Sequence, residues 1–188
     1  MLRPKILSLE CMADIDFEAI LSDSSRSLAD YVTSVMGEDP ELFSRLFELV
    51  ISQKPKVSMR GARVLDLACE RHPELVRPYL EEIIRVLPGL RDDSVKRIFM
   101  HILLRHPWVE DERLMGILVD TLFRWIQDDT QTIAVKAYSM AILESISTLL
   151  PDLKNELILV IGESLPYWNS AGLQSQARTV IRKINRSR

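Results

Sequence analysis

A chain of 188 residues, 47% hydrophobic and 27% charged, is long enough for one domain with a substantial core or for a short array of repeats. Six glycines are too few for the many tight turns of an all-β fold. A net charge of −3 offers no bulk attraction for nucleic acid or an anionic membrane surface.

Residues 1–13 form no amphipathic element and read as a short extended or disordered arm. Asp14 or Asp16 can cap a brief helix through Leu21, with Phe17, Ile20 and Leu21 on one side. After a turn cluster at 22–25, a helix over 27–36 would bury Leu28, Tyr31, Val32 and Val35, and Gly37 stops it. Residues 1–38 therefore read as an N-terminal arm and helical cap. The first unit of a repeat array must shield an apolar face that has no earlier neighbour.

From Asp39 the pattern becomes regular. Asp39 caps a helix with Pro40 at its first position, and Leu42, Leu46, Leu49 and Val50 face inward before Pro55. The next helix, 57–72, buries Ala62, Leu65, Ala68 and Cys69. A third starts within 73–78 and runs to Leu87, with Leu80, Ile83, Ile84 and Leu87 on one stripe, and Pro88-Gly89 breaks it. The stretch 92–107 returns with Val95, Ile98, Phe99, Ile102 and Leu103 on one face. A longer helix over 111–127 turns Leu114, Ile117, Leu118, Leu122 and Trp125 inward. Asp128-Asp129-Thr130 is a turn, and the following helix reaches Leu150 before Pro151. After Asp152, Leu153, Leu157, Val160, Ile161 and Leu165 make the next stripe. Residues 166–172 interrupt, and a last helix over 173–185 packs with Leu173, Ala177, Val180, Ile181 and Ile184.

Residues 39–188 thus divide into four helical hairpins that form one continuous domain with the cap. Arg71-His72-Pro73 and Arg105-His106-Pro107 close like segments thirty-four residues apart, a period typical of helical-repeat arrays. An ordinary helical bundle is the alternative, but its turn signals need not recur with like helices in like order. The second helices also open alike, with Met59-Arg60-Gly61-Ala62, Val95-Lys96-Arg97-Ile98 and Val135-Lys136-Ala137-Tyr138. A leucine follows eight residues after the apolar member each time, at Leu67, Leu103 and Leu143. Asp92 or Asp93 precedes the second of these openings and Asp128 or Asp129 the third. The first hairpin has no acid there, and the last has only Ser175-Gln176-Ala177.

This pattern resembles the HEAT repeat over residues 39–186. The resemblance implies an all-α, right-handed αα superhelix, armadillo-like, of about four HEAT-like hairpins behind the cap. It also implies an outer row of first helices and an inner, concave row of second helices.

Little in the chain asks for chemistry. Cys11 and Cys69 lie far apart without metal-ligand spacing, and Cys69 beside Ala68 reads as a buried, inert thiol. His72 and His106 stand at helix ends before proline, where a histidine can cap terminal carbonyls; His101 is the third histidine. There is no glycine-rich phosphate loop and no grouping that suggests a catalytic triad, so no enzymatic activity, metal or cofactor is expected. No basic-then-apolar leader is present, and apolar runs such as 157–161 are far too short to span a membrane. A cytoplasmic location is the expectation.

Charge is more informative. First helices carry Glu41, Glu48, Glu81, Glu82, Glu110, Glu112, Asp120, Glu156 and Glu163. Second helices carry Arg60, Arg63, Lys96, Arg97, Lys136, Arg178, Arg182 and Lys183. In the arrangement the resemblance implies, these make an acidic convex side and a basic concave side that would attract an acidic peptide or a phosphate backbone. The same basic residues can instead pair with acids of the next repeat and hold the stack together. Trp125 falls on an inward stripe, whereas Trp108 and Trp168 fall in loops, either as rim anchors or packed under a neighbouring loop.

Two functional readings follow. The first is a non-enzymatic scaffold that binds a protein or peptide partner through the concave surface or the loop rims. The second is a nucleic-acid protein similar to the HEAT-like DNA alkylation-repair glycosylases, with Trp125, Asp129, Arg124 and Lys136 as the local grouping; the net charge disfavours it.

Overall fold

A computed structural model describes residues 15–21, 25–106 and 108–186. The expected arm at 1–13, the first cap candidate Asp14 and most of the 22–25 turn lie outside the described residues. Helix starts are set by short oxygen-bearing side chains that satisfy the free N–H groups of the first turn. Asp16 caps α1 (Phe17–Ile20) and Ser25 caps α2 (Arg26–Met36). Asp39 accepts from the N–H groups of Glu41 and Leu42 at 2.8 and 3.1 Å, starting α3 (Pro40–Ile51). Asp92 does the same for α6 (Asp93–Leu104) through Ser94 and Val95, and Asp111 for α7 (Glu112–Gln127) through Leu114.

The remaining helices are α4 (Val57–Arg71), α5 (Leu80–Val86), α8 (Ile133–Ile146), α9 (Leu153–Ser164) and α10 (Ala171–Arg186). No strand occurs among the described residues. Helix α4 starts without a side-chain cap, from a turn in which Gln53 and Lys56 both adopt positive φ, at 55° and 65°. Such conformations cost free energy in residues other than glycine and persist only where the surrounding packing enforces them.

The helices form two rows. Each second helix packs against the next, α2 on α4, α4 on α6, α6 on α8 and α8 on α10. First helices are more sparsely in touch: α5 meets α7 and α7 meets α9, while α3 reaches the α5 region mainly through side chains. The second helices thus pack on one another more closely than the first helices do, and the stack is a helical-repeat superhelix. One core runs from Phe17 to Ile184, with Phe43, Phe99, Ile102 and Leu118 fully buried. Tyr79, at the entrance to α5, packs 4.6 Å from Phe47 and 5.3 Å from Phe43, and Phe47 stacks on Phe99 at 5.9 Å between ring centroids. These rings join the first two hairpins.

Some expected positions differ. In α2 the buried set is Ala29, Val32, Thr33 and Met36, so Tyr31 is 47% exposed and Val35 only half-buried. Thr33 can occupy the core because its hydroxyl donates to the Ala29 carbonyl at 2.8 Å. Helix α8 ends at Ile146 rather than Leu150. There the hydroxyls of Ser147 and Thr148 donate to the carbonyls of Glu144 and Ser145, each at 2.7 Å, and Leu150 is left exposed.

Candidate functional site

The two rows differ in charge. Basic residues outnumber acidic ones eleven to five within α2, α4, α6, α8 and α10, and acids outnumber bases eight to five within α3, α5, α7 and α9. What each basic residue can do depends on where its charged end lies.

Lys96 and Lys136 are not on the surface; they are 6% and 4% exposed. The Lys96 ammonium donates to Asp93 Oδ1 at 2.9 Å and to Gln131 Oε1 at 3.0 Å, and lies 5.2 Å from the Trp125 ring centroid. Lys136 repeats the device one hairpin later, 3.5 Å from Asp129 Oδ1 and 5.7 Å from the Trp168 ring. Each lysine runs its apolar stem through the core and places its charge over an indole of the following hairpin, where the ring face is electron-rich. The lysines thus act between repeats. Trp168 is buried at 6% exposure instead of standing on a rim, Trp125 is buried as its stripe predicts, and Trp108 packs half-buried against the core. The grouping of Trp125, Asp129, Arg124 and Lys136 therefore presents no open indole face for a base: Lys96 covers Trp125, while Asp129 and Arg124 are solvent-exposed.

A line of ion pairs joins the second helices, with the acid on the earlier helix and the base on the later one. Asp30 of α2 meets Arg71 of α4 at 3.3 Å. Arg105, at the end of α6, donates to Glu70 at 2.8 Å and to Asp66, and His101 Nδ1 lies 3.1 Å from Asp66. Glu144 of α8 meets Lys183 of α10 at 3.3 Å. The partners are 35 to 41 residues apart, a separation that becomes visible only when the hairpins are in register. Asp66, Glu70 and His101 bring ligand atoms within 4.8 Å of one another, which is metal-like spacing. The Arg105 guanidinium already bridges the two carboxylates, so the cluster is a salt-bridge knot with its cation supplied by the chain.

Arg60 donates to the Leu21 carbonyl at 2.8 Å and tethers the end of α1. Arg178 and Arg182 lie at the far end of the row and bond along their own helix, to Gln174 Oε1 and to the Arg178 carbonyl, both at 3.3 Å. With Ser175 and Ile181 they line a shallow pocket of their own. Arg63 and Arg97 remain. Both are exposed, and neither side chain makes a hydrogen bond or ion pair among the described residues.

Those two arginines line a groove of about 570 Å³ across α2, α4 and α6, with Tyr138 of α8 at its edge. Met59, Leu67 and Ile98 supply an apolar floor, and Asp66, Glu70 and His101 close one end. Ile98, expected on a core stripe, is half-buried and lines the groove together with Met59 and Tyr138, whose places in the helix openings do not mark them as lining residues. The one signal for the pair is that Arg63 and Arg97 both lie on basic second helices, three and one residues after the openings at Arg60 and Lys96.

Burial sets the character of two ionisable groups outside the ion pairs. His106 has its pKa lowered, first by burial and then by the positive charges of Arg105 and Arg77. Burial pushes the Cys69 thiol up to about 12, so it carries no thiolate at neutral pH. No helix among the described residues is long and apolar enough to cross a membrane.

A family model described as a HEAT repeat domain matches residues 18–184. No curated protein and no solved structure matches the chain.

Proposed function

The chain belongs to the HEAT-repeat family, and from that premise we propose that it is a non-enzymatic interaction module that binds a protein partner along its concave, second-helix face. The observation that carries the reading is the contrast between neighbours in the basic row. Lys96 and Lys136 are buried between hairpins, whereas Arg63 and Arg97 point their charges into an open groove without an internal partner among the described residues. Unpaired guanidiniums beside exposed apolar side chains are the chemistry of a recognition surface, because arginine tolerates partial desolvation and bonds carboxylates in a bidentate fork. Catalysis has no comparable support: the thiol is protonated and the acidic cluster is bridged by arginine. A cytoplasmic setting belongs to the same proposal, and a buried free thiol at Cys69 suits a reducing compartment.

The test is affinity capture from native cell extract with wild type, Arg63→Glu/Arg97→Glu, and an outer-face control, Arg113→Glu/Arg124→Glu. A partner lost with the inner variant and kept with the outer one supports the reading. Capture unchanged by the inner variant would move the binding surface to the rims or the convex side and reject it.

A further inference from the structure

Resting on that reading of the groove, we propose that its occupant is an extended acidic segment of the partner protein, with an apolar side chain between two carboxylates. Arg63 and Arg97 enter the groove from the neighbouring, packed helices α4 and α6. Packed helix axes lie about 8–10 Å apart, and an extended chain rises about 3.3 Å per residue. Two carboxylates about three residues apart in an extended peptide therefore match the two guanidiniums when the peptide crosses the row. Apolar side chains line the groove alongside the arginines: Leu67 and Ile98 are half-buried and the Met59 side chain is exposed. An apolar residue between the two acids would cover these side chains.

Charge also sets the path. The basic end of the groove holds Arg26, Arg60, Arg63 and Arg97, at the N-terminal halves of their helices. Asp66 and Glu70 stand towards the other end, bound by Arg105. An acidic segment is drawn across the first end and excluded from the second. A nucleic-acid backbone fits less well. It carries a negative charge at every nucleotide and no apolar side chain, so it would face the apolar floor and the two carboxylates with only two internally unpaired guanidiniums in its favour.

Selection of random peptides displayed on phage against the full chain tests this, with the best synthetic peptide then titrated by fluorescence anisotropy. The expected result is enrichment of two acidic residues about three positions apart with an apolar residue between them. Arg63→Gln and Arg97→Gln are each expected to weaken that peptide about two- to five-fold, with circular dichroism matching wild type. Selected peptides without acidic residues, or an acidic peptide that binds the double variant equally well, would overturn the inference. So would a selection yielding no arginine-dependent peptide, or a short single-stranded oligodeoxynucleotide that binds the groove more tightly than any selected peptide. The two proposals fail separately. If extract capture depends on the arginines and the selected peptides are not acidic, only the peptide class is wrong. If capture ignores the arginines, the groove assignment itself is wrong.

Discussion

Lys96 and Arg97 are adjacent and alike in charge, and the structure assigns them opposite consequences. Replacing Lys96 by glutamate puts a carboxylate into a site 6% exposed, next to Asp93 and beneath the Trp125 ring. The change removes two hydrogen bonds and a cation–π contact and leaves an unpaired buried charge. Breaking a buried pair in this way costs about 3–5 kcal/mol. Lys96→Met keeps the apolar stem and loses only the charged end. Loss of the ring contact and of the bonds to Asp93 and Gln131 is then expected to cost about 1–2 kcal/mol. Arg97→Glu alters an exposed group without internal partners and should stay within about 0.5 kcal/mol of wild type. Urea unfolding followed at 222 nm and by tryptophan fluorescence measures all three. If Lys96→Glu costs no more than Arg97→Glu, the lysine does not link the hairpins and its assignment here is wrong.

Three further outcomes are expected. Ile102→Ala and Leu118→Ala, both at fully buried positions, should each lower stability by about 2–5 kcal/mol in the same urea experiment; a loss below 1 kcal/mol at either would show a site that collapses around the deletion. In a Cys11→Ser background, Cys69 should resist an aromatic disulfide reagent at pH 8 in the native state and react fully in urea, because burial raises its pKa to about 12; fast native labelling would contradict this. Asp128 is held at about 2, below its ordinary 3.8, by hydrogen bonds from the Gln131 side chain and then from Thr130. A depressed carboxylate stabilises the fold above its unfolded pKa, and that contribution disappears as pH falls from about 4 towards 2. Asp128→Asn should flatten the acid limb of the stability profile in that window, and an unchanged slope would count against the hydrogen-bond assignment.

The helical frame was legible because it is written locally. Asp39, Asp92 and Asp111 announce helix starts within three residues of the groups they bond, and stripes such as Val95, Phe99 and Ile102 need only the 3.6-residue period. The interior face of α2 was misread because Tyr31 shares the spacing of a core residue. Its exposure is set by Thr33 satisfying its own hydroxyl, which hydropathy does not record. The basic row was legible as a row but not as to which members face solvent. A lysine has a stem long enough to be buried and a tip polar enough to be displayed, so the choice depends on whether an indole of the next hairpin lies within reach. Trp168 illustrates the same point, since a loop position suggests exposure until the lysine that covers it is known. The ion pairs between α2, α4, α6, α8 and α10 belong to tertiary register and were out of reach of any local pattern.

The lysine-over-indole contact is not distributed evenly along the chain. It clamps the joint between α6 and α7 and the joint between α8 and the turn before α10, whereas Arg60 points back to α1 and Gln176 occupies the matching slot in the last helix. The groove lies on the earlier side of these clamps, where α4 and α6 are tied by partly exposed ion pairs and Phe99 of α6 stacks on Phe47 of α3. Raising the salt concentration, which screens partly exposed pairs more than buried ones, would therefore weaken the joint beneath the groove before it weakened the clamped ones.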